Sequence, residues 1–279
     1  MALVKIRSEG LARDLVRGAT TTALLVFALV PIAWLVLTSF KTRLQIFASP
    51  PLLVFTPSLD SWAKLLQPGP VRQALFNSIL VAASTTVATL VIGGLAAYGF
   101  SRFRFHGAAA LLFGILAARL LPPINSVVVL YLVFSRLHLV DTISGLVILY
   151  SALLVPIAVW LLRTAFDAVP RELEEAAMID GCSRLRALWH VTMPLAAPGV
   201  AVTGLLMFIF SWNEFLFAYL FTSTDAVTIP VILAKAVGEY GVDWADLTAQ
   251  ATLLLIPVLI ITLVAQRRLL SGLSGGALK

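Results

Sequence analysis

Residues 167–194 read DAVPRELEEAAMIDGCSRLRALWHVTMP, a polar stretch between long apolar ones. Pro170 suits the first turn of a helix, and the acidic residues that follow would stabilise the positive end of that helix: Glu172, Glu174 and Glu175. Gly181 is a typical C-terminal stop, and Ser183 is able to cap a second short helix that ends before Pro194. The stretch is too short and too polar to cross a membrane, so it predicts a loop of two short helices.

Apolar residues dominate the rest of the chain. Of the 279 residues, 60% are hydrophobic and 12% are charged, which is about half the charged share of an ordinary soluble domain. The mean hydropathy of +0.98 indicates that lipid is the solvent for most of the chain. The low share of charged residues excludes a disordered protein, and the single cysteine, Cys182, excludes a disulfide scaffold.

Six segments are apolar enough to be transmembrane helices, which need roughly 20 such residues. They run from about Gly18 to Phe40, Ala74 to Phe100, Gly107 to Phe134, Ile143 to Ala165, Leu195 to Phe221 and Thr248 to Ala265. The third is interrupted by Pro122 and Pro123, and the first is too long for the apolar core of a signal peptide. We therefore predict an all-α integral membrane protein with six transmembrane helices.

The positions of the basic residues predict the orientation. If both termini are cytoplasmic, the inside segments hold 13 lysines and arginines and the outside loops hold 6, while Arg119 lies within the membrane. This excess follows the positive-inside rule, so we expect a multi-pass protein of the inner (cytoplasmic) membrane with cytoplasmic N- and C-termini. The net charge of +6 then needs no nucleic-acid partner.

The polar loop resembles the EAA motif of ABC importer permeases. Glu175-Ala176-Ala177 is followed by Gly181, then by Val191 and Met193-Pro194, and the family usually has isoleucine and leucine in place of Val191 and Met193. Three further stretches resemble the carbohydrate permeases of the maltose-transporter type: Phe210 to Leu216 (FSWNEFL), Pro122-Pro123 with Leu130-Tyr131, and the tail Gln266 to Lys279 (QRRLLSGLSGGALK). The likeness extends over nearly the whole chain.

The resemblance implies a type I importer permease fold in a single transmembrane domain, residues 1–279. The coupling loop, residues 167–194, would be cytoplasmic and would dock in a groove of an ATPase subunit, and residues 266–279 would form a cytoplasmic tail. Carried over to this chain, the coupling residues are Glu175, Ala176, Ala177, Asp180, Gly181 and Pro194, and the tail residues that contact the ATPase are Ser274, Gly275 and Gly276. The alanines would allow close docking, and Glu175 would anchor the contact.

The resemblance also implies the protein partners of the chain, in addition to the membrane lipid that surrounds it. They are a second homologous permease subunit, a homodimer or pair of ATPase subunits, and an extracytoplasmic solute-binding protein. The sequence has no Walker A lysine motif, so the chain should not hydrolyse ATP itself, and ATP and Mg²⁺ would bind to the ATPase subunits. The three histidines are scattered, so no metal site and no directly bound cofactor are expected.

Five residues are candidates for the translocation pathway. Arg119 should lie near the middle of the bilayer, where a charge costs roughly 2.5–3.5 kcal/mol, so we expect it to face a cavity or a partner. It could hold sugar hydroxyls, or a phosphate or carboxylate on a modified substrate; alternatively, it forms an intersubunit ion pair or snorkels to the interface. Asn125 follows the proline break, and Trp212, Asn213 and Glu214 lie in the fifth helix. These last three could bind substrate or could simply pack helices together.

We expect the chain to be the permease subunit of an ATP-driven carbohydrate importer, forming half of its translocation pathway. An importer for glycerol-phosphate-like or other polar solutes is the alternative within the same class. A self-sufficient channel or secondary transporter would require a symmetric repeat or an intramembrane acid relay, and Glu214 alone is a poor relay. Common hydrolase motifs are missing from the sequence, which disfavours an integral-membrane enzyme.

Overall fold

The structure of the chain is a computed structural model that describes residues 2–117, 119, 123–238 and 241–274, with the backbone alone described at 2–15, 123, 237–238, 241 and 264–274. The chain divides into two compact units, Met1–Gln67 with Ala236–Leu253, and Pro68–Lys235 with Leu254–Lys279. The expectation of a single domain over residues 1–279 stays a prediction.

Helices account for nearly all of the regular structure. In chain order they are α1 (Ala2–Thr38), α2 (Arg43–Ile46), α3 (Asp60–Leu66), α4 (Pro70–Arg102), α5 (Ala108–Ala117), α6 (Val127–Arg136), α7 (Ile143–Asp167), α8 (Arg171–Ile179), α9 (Arg184–Ala187), α10 (Met193–Leu195), α11 (Ala197–Trp212), α12 (Leu216–Phe221), α13 (Ile229–Lys235) and α14 (Trp244–Ser274). A short antiparallel hairpin pairs β1 (Val237–Gly238) with β2 (Gly241–Val242). The predicted all-α class is confirmed, and this hairpin is the exception within the described residues.

Four described helices are long and apolar enough to cross a membrane: Val16–Thr38, Pro70–Arg102, Ile143–Asp167 and Trp244–Leu263. They correspond to the first, second, fourth and sixth predicted segments. A fifth span results if Arg184–Leu195 and Ala197–Trp212, which meet at an angle of 83°, are counted as one. The count of six and the side of the membrane on which the termini lie stay predictions.

The third predicted segment is divided into two short helices. α5 ends at Ala117, and α6 begins at Val127 after a 3₁₀ turn at Pro123–Ser126. A proline lacks the backbone N–H that a helix interior needs, and its ring obstructs the preceding turn. The Pro122-Pro123 pair therefore accounts for the break, although Pro122 itself lies outside the described residues.

The fifth predicted segment is also divided, although no proline or glycine lies at the break. α11 ends at Trp212, and the Glu214 carboxylate accepts hydrogen bonds from the backbone N–H groups of Phe217 (2.9 Å) and Ala218 (3.1 Å). These bonds satisfy N–H groups at the start of α12, which would otherwise have no partner. Glu214 thus starts a new helix, and the structure corrects the expected continuous helix from Leu195 to Phe221.

The core of the second unit lies between α4, α7 and α11. Its largest fully buried side chains are Trp212, Tyr150, Phe166, Leu146, Leu162 and Met207. Small residues let the helices approach closely, because a Cβ placed on Gly93 would meet the Ala158 Cβ at 3.0 Å and one on Gly199 would meet the Ala165 Cβ at 2.5 Å. Close packing of this kind is a main source of helix association in lipid, where apolar burial contributes little.

Two polar regions lie at opposite ends of α4. At its C-terminal end, α4 and α7 finish beside the coupling loop. Near its N-terminal end, the Asn77 amide donates hydrogen bonds to the carbonyl groups of Asp225 (2.8 Å) and Val227 (2.9 Å) and so holds the loop at residues 222–228. The bundle therefore keeps these two loops apart on a rigid support.

The second helix of the coupling loop differs from the prediction at its end. The helical path runs past the expected stop, through a π turn at Leu188–Thr192 and into α10. The Met193 N–H bonds to the carbonyl of Leu188, five residues earlier, as in a π helix. Pro194 lies in the first turn of α10, where its missing N–H is not needed, so it does not terminate the helix.

Candidate functional site

A buried glutamate anchors the coupling loop to the helix bundle. Glu174 on α8 is only 3% exposed, and its Oε1 accepts hydrogen bonds from the Arg102 Nε (2.7 Å) and from the Thr192 hydroxyl. Its Oε2 accepts one from the Tyr98 hydroxyl at 2.9 Å. Tyr98 and Arg102 belong to α4, while Thr192 belongs to the π turn. One carboxylate therefore joins both helices of the loop to the end of α4.

Arg102 extends this network to α7. Its Nη1 donates to the Ser101 hydroxyl (2.9 Å), and its Nη2 donates to the Val169 carbonyl (3.1 Å). The Ser101 hydroxyl in turn donates to the Asp167 carboxylate at 2.6 Å, at the C-terminal end of α7. The Glu174 carboxylate, the Arg102 guanidinium and the Ser101 hydroxyl thus all have hydrogen-bond partners, as low-dielectric surroundings require.

The hydrogen bonds keep Glu174 ionised. Burial by itself would raise the pKa of the Glu174 carboxyl, but the hydrogen bonds from Thr192, Arg102 and Tyr98 outweigh burial and lower the pKa below its usual value. Desolvation makes such a pair a poor source of net stability, yet loss of one partner leaves a costly buried charge. The arrangement favours one fixed geometry of the loop over a set of alternatives.

The opposite face of the coupling loop is exposed. Glu175 and Ala176 are exposed and Ala177 is half-buried, because consecutive helical residues point about 100° apart. The loop also exposes four large apolar side chains, which are Leu173, Ile179, Leu185 and Trp189. Ile179 is the most exposed of them, at 86%. Of these, Trp189 lines a groove against α4, and exposed apolar side chains on a short polar loop are available for contact with another protein.

The turn between α8 and α9 has the helix stop and the serine cap that the sequence predicts. Asp180 is the C-terminal cap of α8, and Gly181 follows with φ +89°, a left-handed conformation that favours glycine. The Cys182 N–H bonds back to the Ala177 carbonyl at 3.0 Å, and the Ser183 hydroxyl caps α9 by accepting from the Arg186 N–H. The stop at Gly181 and the cap at Ser183 are therefore confirmed, while Pro170 lies one residue before its helix.

A second polar feature is a cavity of about 310 Å³ between α7 and α11, which we call the α7–α11 cavity. It is lined by Arg119, Tyr150, Leu153, Leu154, Phe210, Ser211, Glu214, Leu216 and Phe217. The structure thus brings together two of the five predicted pathway residues, Arg119 and Glu214. No ion pair joins these two side chains among the described residues.

The other predicted pathway residues lie elsewhere. Trp212 is buried, stacks on Phe208 with ring centroids 5.7 Å apart, and donates from its indole N–H to the Leu254 carbonyl at 2.9 Å. Asn213 donates to the Ile209 carbonyl of its own helix and lines a separate cavity of about 270 Å³. Asn125 is exposed in the 3₁₀ turn and does not line the α7–α11 cavity. Trp212 therefore has the contacts of a packing residue.

The predicted tail contacts fall at the edge of the described residues. Ser274 is the last residue of α14, where only the backbone is described, and Gly275 and Gly276 lie outside the described residues. Metal binding has no support in the described part of the chain, since no group of three candidate ligands is placed to hold an ion there.

The residues that sequence reasoning missed are those that anchor the coupling loop. Glu174, Arg102, Tyr98 and Thr192 were not predicted to act together, and Arg102 is 72 positions from Glu174 in the chain. One pattern could have indicated part of the network. Adjacent glutamates on a helix point about 100° apart, so a helix that packs against the bundle is able to turn one of Glu174 and Glu175 inward, where a buried carboxylate needs a cation.

At the other end of α4, the Asp141 carboxylate holds the 222–228 loop. It accepts hydrogen bonds from four consecutive backbone N–H groups at 3.0–3.2 Å and from two hydroxyls of the same loop, contributed by Ser223, Thr224, Asp225 and Ala226. Burial would raise the pKa of Asp141, but these hydrogen bonds outweigh it and hold the pKa well below its usual range.

We expect Asp141→Asn to loosen the 222–228 loop, because hydrogen bonds to a charged group contribute about 1.5–3 kcal/mol each and the amide carries no charge. Hydrogen exchange followed by mass spectrometry should show faster exchange there, while the matched change Asp225→Asn, on an exposed residue of the same loop, should leave it unchanged.

The same contact predicts a pH dependence. A depressed carboxyl pKa stabilises the loop in full above the unfolded value of about 4, and this contribution declines progressively as the pH falls from there through the lower folded value. Protection of the loop amides against hydrogen exchange, corrected for the intrinsic exchange rate at each pH, should therefore persist below pH about 4. Loss of protection near that pH, or an Asp141→Asn chain whose loop exchanges like wild type, would contradict the role of Asp141 in holding the 222–228 loop.

Comparison with known proteins gives a consistent result. The family model described as "binding-protein-dependent transport system inner membrane component" matches residues 89–274. The chain is 36% identical over 265 residues to the sulfoquinovosyl glycerol transport system permease protein SmoH of Agrobacterium fabrum, covering 94% of this chain and 93% of the relative. It is 35% identical over 279 residues to the trehalose/maltose transport system permease protein MalG of Thermococcus litoralis, covering 98% and 99%.

A solved structure shares the fold. It is described as the crystal structure of a bacterial ABC transporter involved in the import of the acidic polysaccharide alginate. The match has a TM-score of 0.77 at 23% sequence identity and covers 91% of this chain and 95% of that one.

Proposed function

Because this chain belongs to the family of binding-protein-dependent transport system inner membrane components, we propose that it forms half of the translocation pathway of an ATP-driven carbohydrate importer. The family is a transport component and not an enzyme. The observation that carries the proposal is the coupling loop, whose inner face is anchored by the buried Glu174–Arg102 pair while its outer face is exposed.

The coupling loop has the properties that transmission of motion requires. Its two short helices are capped, and one carboxylate fixes them both to α4, so a force applied to the loop moves the bundle instead of bending the loop. The outer face offers a charge at Glu175, a small residue at Ala176 and apolar side chains for a partner. We assign this face to the ATPase subunit, with Glu175, Ala176, Ala177, Asp180, Gly181 and Pro194 as the coupling residues.

This assignment sets the orientation and the remaining partners. The coupling loop and both termini lie on the cytoplasmic side, where ATP and Mg²⁺ bind to the ATPase subunits, and the tail at Ser274, Gly275 and Gly276 contacts those subunits. The 222–228 loop then lies on the outer side, where a solute-binding protein delivers the substrate. A second homologous permease subunit completes the pathway, and the exposed apolar side chains of α1 face that subunit or lipid.

The substrate class is proposed from the relatives. One is named for trehalose and maltose, and a third relative, at 33% identity, is the trehalose transport system permease protein SugB of Mycobacterium tuberculosis. SmoH is named for sulfoquinovosyl glycerol, a derivative of glycerol, which keeps polar solutes of the glycerol-phosphate type as the second candidate.

Purification of the tagged chain in mild detergent, followed by mass spectrometry, tests the proposal. We expect an ATPase subunit and a second permease to co-purify, and vesicles containing this complex with its binding protein to take up trehalose or maltose with ATP hydrolysis. Recovery of the chain alone or as a homo-oligomer would overturn the importer and favour a channel or secondary transporter. Uptake of sulfoquinovosyl glycerol in place of the neutral sugars would favour the second candidate.

A further inference from the structure

Two buried hydroxyl groups on the α7–α11 cavity are not used by the fold. Tyr150 on α7 is 1% exposed and Ser211 on α11 is 5% exposed, and neither hydroxyl has a hydrogen-bond partner among the described residues. The Tyr150 hydroxyl is near enough to Glu214 to interact with its charge, yet the two groups do not form a hydrogen bond of good geometry. A buried polar group without a partner is costly, so such a pair indicates a place where another molecule supplies the partner.

The charges on the cavity wall indicate the chemistry of that molecule. Arg119 contributes a positive charge and Glu214 a negative one, and they form no ion pair with each other within the described part of the chain. A carboxylate or phosphate would be attracted by Arg119 and repelled by Glu214, and a cation would meet the reverse. Because the two formal charges cancel, a ligand without net charge is the one that gains from both groups.

The same groups suit a molecule with several hydroxyls. A guanidinium has five N–H donors in a planar fork, and each Glu214 oxygen accepts one backbone N–H and keeps further lone pairs available. Phe210 and Phe217 add apolar surface on the same wall, where the C–H face of a sugar ring could lie. The volume of about 310 Å³ is at the lower end of the range of roughly 300–1,000 Å³ for small-molecule sites.

We propose that the α7–α11 cavity is a transit site for one neutral sugar ring. Arg119, Tyr150 and Ser211 donate hydrogen bonds to its hydroxyls, and Glu214 accepts them while it also caps α12. This inference rests on the proposed importer function and adds two statements to it: the subunit itself contacts the substrate, and the contact selects an uncharged ring.

Protection of an introduced thiol tests the transit site in the assembled importer. Cys182→Ser removes the native thiol, and Leu216→Cys places one on the cavity wall outside the set of polar contacts. The rate of its modification by a small methanethiosulfonate reagent is measured alone, with glucose, and with glucuronate, which has the same ring and a carboxylate. Ser144→Cys, at an exposed position at the start of α7, is the matched control thiol.

We expect glucose to slow modification of the Leu216→Cys thiol severalfold and glucuronate to have little effect, with neither sugar changing the control thiol. Adding Arg119→Met or Tyr150→Phe should remove most of the protection by glucose. Equal protection by glucuronate, no protection by glucose, or protection that survives both changes would overturn the transit site. A thiol that reacts in the isolated chain but not in the complex would also overturn it, since a partner subunit would then fill the cavity.

The outcome for the importer function is read separately in the same samples. ATP hydrolysis and the presence of the ATPase subunit report on the proposed function, and thiol protection is measured whether or not they are found. A complex that hydrolyses ATP but shows no protection overturns the transit site alone, whereas protection in a chain without an ATPase overturns the importer and leaves a sugar site in a different kind of transporter.

Discussion

An importer that carries Arg102→Met is expected to lose nearly all substrate uptake, because the change leaves the Glu174 carboxylate buried without its cation. Removing one partner of a buried ion pair costs about 3–5 kcal/mol. The contact between α8 and α4 should open, because its opening lets water reach the unpaired Glu174 carboxylate. The coupling loop would then move away from the bundle and no longer transmit ATPase closure.

Uptake into vesicles, measured together with ATP hydrolysis by the purified complex, checks this expectation. Arg104→Met is the matched control, because Arg104 is exposed two residues further along the chain and makes no ion pair among the described residues. Uptake should fall in the Arg102 variant and stay near wild type in the control. Hydrolysis should continue without stimulation by the binding protein.

A double change separates loss of the cation from loss of the whole pair. Replacement of a buried pair by apolar residues of similar volume is often neutral or stabilising by about 1–4 kcal/mol. The combination Arg102→Met with Glu174→Met should therefore recover much of the expression and uptake that either change removes alone. If the two losses simply add, or if Arg102→Met transports like wild type, the anchoring role of the pair is wrong.

The second large effect is expected from Glu175→Arg. Glu175 is exposed on the outer face of α8, so reversal of its charge should leave the fold intact while it removes the contact with the ATPase. Loss of a paired charge at a protein interface costs about 2–5 kcal/mol, and each factor of ten in affinity corresponds to about 1.4 kcal/mol. Uptake should therefore fall by more than about tenfold with normal amounts of the chain in the membrane.

Gly181→Asp should act on the same contact through the backbone. Gly181 has φ +89° with open space around its Cα, so the substitution meets no clash but strains the turn by about 1–2 kcal/mol. Gly107→Asp is the matched control, because Gly107 has φ +83° and open surroundings in a different loop. Co-purification of the ATPase and uptake should drop for Gly181→Asp and for Glu175→Arg. Unchanged uptake with normal ATPase association would show that this face is not the coupling surface.

Local backbone chemistry made the turn of the coupling loop predictable. Gly181 and Ser183 act within a few residues of their own positions, as the stop of α8 and the cap of α9, and the sequence alone identified both. Apolar length identified the four described membrane helices in the same way, because lipid leaves the backbone no partner except its own helix. The family resemblance, read from the EAA spacing, was confirmed by the comparisons.

Predictions failed where hydrogen bonds depart from the regular α-helical pattern. The continuous fifth helix was wrong because the Glu214 carboxylate competes for the N–H groups of Phe217 and Ala218. The expected stop at Pro194 was wrong because a π turn places this proline in a first turn. Hydropathy does not report either effect, since neither changes how apolar the segment is.

The sequence by itself determined that this chain is a helical membrane protein of the importer permease family, and it predicted which loop is the coupling loop. Only the tertiary structure decided which of two adjacent glutamates is buried and that Arg102 is its partner. It also decided that Arg119 and Glu214 share one cavity while Asn125, Trp212 and Asn213 do not line it. The physical reason is distance along the chain: caps, turns and apolar lengths depend on neighbouring residues, whereas ion pairs and cavities depend on how α4, α7 and α11 pack together.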